Sequence, residues 1–173
     1  PQQVLLALVH LIPKKLGCLR SISLVGFVYR LLMKFLAGPE LVSWDRAFSD
    51  TLLAADSARA GASAPRAAFL RQAVIDAAQW SGRPWVQALW DMKWFYDQID
   101  WLKLLPAAEA ADFPLEVLVL VAQVHTAPRI ITHEGGVSEV VEHTMRSILA
   151  GCPTSTRLAK AHIASPLAAA AEA

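Results

Sequence analysis

The chain has 173 residues, 55% hydrophobic and 18% charged, with 16 Lys and Arg against 15 Asp and Glu; that suits one domain with a buried core and excludes a disordered chain. The longest apolar runs, such as Val117 to Ala122, fall well short of the ~20 residues that cross a bilayer. Cys18 and Cys152 are too few for a disulfide framework and lack metal-ligand spacing, so the expected setting is intracellular and reducing, with no membrane.

The near-zero net charge of +1 hides a segregation. Residues 1–38 carry five bases and no acid, whereas residues 91–142 carry three bases against nine acids. A basic first lobe beside an acidic centre suits a polyanion on one side and metal cations on the other; uneven surface charge is the plainer reading. The first fifteen residues place their charges after the apolar run and lack a small-residue cleavage site, unlike a secretory signal. With no initiator Met, the expectation is a piece of a longer reading frame.

In chain order, Gln3 to Pro13 and Leu19 to Leu24 flank a basic turn ending at Gly17, which predicts a β-hairpin. Val25 to Ala37 has helical spacing, with Gly38-Pro39 as a stop. A second helix is predicted within 40–60 from Trp44, Phe48, Leu52 and Leu53 on one face, and a third over Pro65 to Trp80, ended by Ser-Gly-Arg-Pro. Trp85 to Trp90 reads as a short buried strand closed by Asp91. Phe113-Pro114 opens a helix to about Thr126. Glu134-Gly135-Gly136 between Ile130-Ile131 and Val137, Val140 and Val141 signals a second hairpin, before an Ala-rich helical tail. This order predicts an α+β fold, an antiparallel sheet with packed helices, rather than a βαβ alternation. No dinucleotide-binding glycine pattern or phosphate-loop lysine motif occurs.

Three segments carry candidate chemistry. Asp91, at the end of a rigid strand, is the kind of carboxylate a Mg²⁺ site uses, and Tyr96 and Asp97 follow it; the same Asp could cap a turn and the aromatics could be core. Lys14 and Arg20 flank the hairpin turn, a point charge and a planar fork suited to a triphosphate, or else a solvated turn. Gly151 lies between a β region and a helix, where absent bulk lets a base pair approach, or where a helix simply starts. Cys152 reads as a buried thiol, because His143 and His162 form no catalytic signature with it.

Together these segments resemble the reverse transcriptase family over nearly the whole chain, most closely non-LTR retroelement or dinoflagellate-type proteins. Lys14, Arg20 and Ile22-Ser23-Leu24 resemble the fingers hairpin, with Ser21 in place of a proline. Asp91, Tyr96 and Asp97 fall on the spacing of the first catalytic palm motif. Arg129, Ser138 and the run Gly151-Cys152-Pro153-Thr154-Ser155 resemble the segment leading into the family's Gln-Gly-Ser-Pro-x-Ser-Pro motif. Ala150 replaces the glutamine, Ser147 an earlier glycine and Thr156 the second proline, and no aromatic-x-Asp-Asp occurs before Ala173.

The resemblance implies a partial right-hand polymerase, fingers-like over about 1–84 and palm-like over 85–173, truncated before its second acidic motif. It implies RNA-directed DNA synthesis on an RNA template and DNA primer, with deoxynucleoside triphosphates and Mg²⁺, in a fragment inactive by itself and nuclear if retroelement-derived. Asp91 would hold the metal, Lys14 and Arg20 would neutralise the triphosphate, Tyr96 would exclude a ribose 2′-hydroxyl, and Gly151 would floor the base-pair pocket. A non-catalytic nucleic-acid-binding relic and an unrelated small α+β interaction domain are the alternatives.

Overall fold

Ala7 and Val9 are buried while Leu8 and His10 face outward, the alternation of a strand with one face on a core. In the computed structural model, which describes residues 6–14, 18–35, 37–51, 62–87, 92, 94–142 and 144–172, this strand is β1 (Ala7–Pro13). It pairs antiparallel with β2 (Leu19–Leu24), Leu8 opposite Leu24 and Ile12 opposite Arg20, so the expected hairpin forms. Helix α1 (Phe27–Phe35) buries Tyr29 and Met33 one turn apart. The Gly38-Pro39 pair expected to stop it also starts α2 (Gly38–Thr51). Proline's fixed φ suits a first helical turn, where its missing N–H has no role. Helix α3 (Ala64–Trp80) is capped by Ser63, whose Oγ accepts from the Arg66 N–H at 3.4 Å, with proline at its start.

The contacts divide into two compact units, Pro1–Trp44 with Trp94–Ala173, and Asp45–Lys93. In the first unit the chain continues through α4 (Phe95–Gln98), α5 (Trp101–Ala110), α6 (Leu115–His125), β3 (Arg129–His133), β4 (Gly136–Val137) and α7 (Ser155–Glu172). Its core joins Trp101, Leu104, Val121, Ile148, Leu149 and Leu158, all at most 1% exposed. Helix α6 buries Val117, Leu118, Val121, Val124 and His125, a stripe at helical spacing. Trp44 adds an edge-on contact to Phe113, centroids 4.9 Å apart, and donates its indole N–H to the Ala111 carbonyl at 2.8 Å.

The fold is α+β, but its four-stranded sheet is mixed rather than antiparallel, in the order β2-β1-β3-β4. The expected hairpin after Arg129 forms as β3 and β4, with Thr132 opposite Val137. Strand β3, however, lies parallel to β1, with Ala7 beside Arg129 and His10 beside Thr132. Helices separate these strands in sequence, and a long crossover permits the parallel direction that a tight hairpin forbids. The predicted strand at 85–90 is corrected over its described part, since residues 85–87 are irregular; residues 88–91 lie outside the described residues. Among the described residues no helix is long and apolar enough to cross a membrane.

Candidate nucleic-acid and nucleotide site

The hairpin turn is closed by the Lys14 N–H donating to the Cys18 carbonyl at 2.7 Å. Lys14 and Arg20 are both exposed beside it. Cross-strand partners share a face, so Arg20 lies with Ile12, His10 and Ile22 on the outer face of the sheet. Ser21 and Ser23 point the other way, together with buried Val9. It is therefore Ser21, not Arg20, that reaches the second candidate segment, its Oγ donating to the Asp97 carboxylate at 3.5 Å.

That second segment is a single helical turn. Trp94 starts it at φ 51°, and its carbonyl accepts from the N–H groups of Asp97 and Gln98 at 3.0 and 3.1 Å. Tyr96 is half-buried, its ring tilted against Phe95 with centroids 5.7 Å apart. Residues 145–148 run alongside: the Trp101 N–H donates to the Met145 carbonyl at 3.0 Å, Ser147 N–H to Ile99 at 2.8 Å and Ile148 N–H to Tyr96 at 2.9 Å. Asp91 lies outside the described residues.

The third segment closes onto both. Ser23 donates its N–H to the Ala150 carbonyl at 2.6 Å. Gly151, at φ +107°, follows so closely that a Cβ there would stand 2.8 Å from the Ser23 carbonyl oxygen. Its missing side chain thus admits the β2 backbone, a use of glycine that its sequence position alone did not distinguish from a base-pair floor. Cys152 is buried as expected, its Sγ 3.2 Å from the Tyr29 hydroxyl and 3.1 Å from the Thr154 hydroxyl. Burial, and then the nearby Cys152, push the Tyr29 hydroxyl well above its ordinary pKa.

Beneath the junction lies a polar group whose contacts the motif reading, which matched Arg129 only by its place in the segment before Gly151, did not assign. Arg129, 6% exposed, donates from Nη1 to Ser147 Oγ at 3.1 Å and from Nη2 to the Ser147 carbonyl at 3.2 Å and the His125 carbonyl. Ser147 Oγ in turn donates to Asp97 at 3.4 Å. Burial pulls the Arg129 guanidinium below its ordinary pKa, and the Asp97 carboxylate offsets part of this. His125 is fully buried, edge-on to Trp101, and its Nδ1 accepts the Leu149 N–H at 3.1 Å. Burial, and secondarily Arg129, hold its pKa down to about 3.

Because the ordinary histidine pKa is about 6.5, the unfolded chain binds a proton at His125 between that value and about 3 while the folded chain does not. Stability contributed by neutral His125 is therefore present above pH 6.5 and lost as pH falls, by at most about 1.4 kcal/mol per pH unit. Burial also lowers the pKa of His162, so the total acid limb belongs to both. His125→Asn, which keeps an acceptor but does not titrate, is expected to flatten the limb in urea titrations between pH 4 and 7. An unchanged slope would contradict the assignment.

Among the described residues no group of three or more His, Cys, Asp or Glu side chains is disposed to hold a metal ion. Asp97 supplies one carboxylate at the junction, facing two serines and the Arg129 charge. The Mg²⁺ expectation rests on Asp91, which lies outside the described residues, and on the resemblance. No family model matches the chain, and no curated protein matches it.

Proposed function

We propose that this chain is a fingers and partial palm segment of an RNA-directed DNA polymerase of reverse-transcriptase type, holding an RNA template and DNA primer at the junction of its three motif-bearing segments. The supporting observation is their convergence. Residues 21–23, 96–99 and 147–151, widely separated in sequence, meet through the contacts of Ser21, Ser23, Tyr96, Asp97, Ser147, Ile148 and Ala150. A further detail favours the reading: Ser147, at the position of a family glycine, sits at φ 80°, a conformation glycine takes without strain.

In this proposal Lys14 and Arg20 neutralise backbone phosphates where the nucleic acid runs past the hairpin, Arg20 from the outer sheet face and so not at the junction itself. Tyr96 lies against the sugar of the incoming nucleotide. Gly151 acts by letting the 147–151 loop rest on β2, and Asp91 is the residue assigned to Mg²⁺. The metal would supply charge neutralisation at the transferred phosphate. The test is a fluorescence-anisotropy titration of a labelled RNA–DNA primer–template at several salt concentrations. Binding should weaken steeply between about 50 and 200 mM salt. Lys14→Ala and Arg20→Ala should each weaken it and reduce the logarithmic salt slope by about 1. Salt-insensitive binding, or no effect of either variant, contradicts the proposal. The chain by itself is expected to give no primer extension with Mg²⁺, because a two-metal site needs more than Asp91, and extension above background would contradict that part of the reading.

A further inference from the structure

Helix α1 is unusually apolar on its outer side. Phe27 and Phe35 at its ends are 72% and 68% exposed, and Val28, Leu31 and Leu32 are exposed between them. Phe27, Arg30, Leu31 and Lys34 follow the i, i+3, i+4, i+7 spacing of one helical face. That face forms one wall of a groove of about 530 Å³, with α2 contributing Val42 and the start of α7 contributing Arg157. Its charged lining is Arg30, Lys34 and Arg157, and among the described residues no carboxylate lines it.

We propose that this groove docks an amphipathic helix of a partner protein whose apolar stripe is flanked by Asp or Glu. Apolar side chains predominate on the walls, which calls for an apolar ligand surface. Arg30 and Lys34, with no carboxylate among the described lining residues, fix the sign of that surface's flanks, because like charges facing one another cost affinity and opposite charges select the partner. Nine residues of α1 span about 13 Å at ~1.5 Å per residue, which matches two to three turns of a docked helix, the helix-in-groove mode. A nucleic-acid backbone suits the site poorly, since it would leave Leu31 and Val42 against phosphates. The proposal does not depend on the polymerase reading.

The experiment uses the full chain and two labelled synthetic helical peptides with the same leucines at i, i+3, i+4 and i+7. One carries glutamates beside the leucine stripe and the other lysines in their place. The glutamate peptide should bind about tenfold or more tightly, the preference shrinking at high salt. Arg30→Glu with Lys34→Glu, both exposed positions, should reverse the preference, with circular dichroism confirming an unchanged fold. Leu31→Asp should weaken the glutamate peptide, and Lys14→Ala should leave it unchanged. Equal binding of the two peptides, or a preference that survives the double charge reversal, overturns the proposal. So does an RNA–DNA duplex whose affinity falls in the double variant as much as that of the glutamate peptide.

Discussion

Arg129→Met is expected to lower stability by about 3 kcal/mol, the cost of leaving buried hydrogen-bonding groups without their charged partner. Methionine preserves much of the stem's volume, so the loss reports the guanidinium rather than a cavity. Without it the His125 carbonyl and Ser147 Oγ lose a donor, while the Ser147 carbonyl keeps the Trp101 indole N–H at 3.2 Å. In urea the midpoint should fall by roughly 1–3 M if the slope is unchanged. Removing the guanidinium also removes one of the two influences holding His125 neutral, so His125 should take up its proton in the folded state at higher pH and its share of the acid limb should level off at higher pH, with the onset unchanged. A midpoint within about 0.3 M of the parent would show that Arg129 carries little of the packing between α6, β3 and the 145–149 segment.

Gly151→Ala is expected to cost about 2–4 kcal/mol, from two sources that act together. At φ +107° an L side chain is strained, and its Cβ would sit 2.8 Å from the backbone oxygen of Ser23. Backbone cannot swing aside as a side chain does, so the 147–151 loop must lift from β2 and lose the 2.6 Å bond between Ser23 and Ala150. Gly135→Ala is the matched control: its φ is +82° but open space surrounds it, so about 1 kcal/mol of conformational strain is all it should show. Equal destabilisation by both, read from urea midpoints, would mean that the close approach to β2 carries no energy. If the junction binds primer–template, Gly151→Ala should also weaken that binding, and Gly135→Ala should not.

Those residues also mark where sequence reasoning succeeds and where it stops. The β1–β2 and β3–β4 hairpins were legible because turn residues punctuate alternating apolar runs, and α3 because Pro65 stands near its start and Ser-Gly-Arg-Pro follows its end. Helix α5 was missed: Pro106 sits inside it, although Asp100 caps it through a 2.9 Å bond to the Leu102 N–H, a signal present in the sequence. The parallel pairing of β1 with β3 was not legible, since periodicity assigns faces to a strand without naming its neighbour. At the site, Asp97 was visible as the acid following an aromatic, but its serine neighbours were not. Ser21 and Ser147 attracted notice only as departures from a proline and a glycine, yet both donate to Asp97. His125 and Arg129 sit four residues apart at a helix end and a strand start, and nothing in their types announces that both are buried.

The proposal that residues 21–23, 96–99 and 147–151 form one nucleic-acid surface can be read from a cross-link map of the primer–template complex. A photoreactive base is placed in the template near the primer end, the complex is irradiated, and cross-linked peptides are sequenced by mass spectrometry. Cross-links are expected in peptides covering 10–24, 94–101 and 145–153, with yields that fall in Lys14→Ala and Arg20→Ala. Cross-links confined to α3 or to the α1–α2 groove, or a yield that ignores both substitutions, would contradict the polymerase reading of this junction.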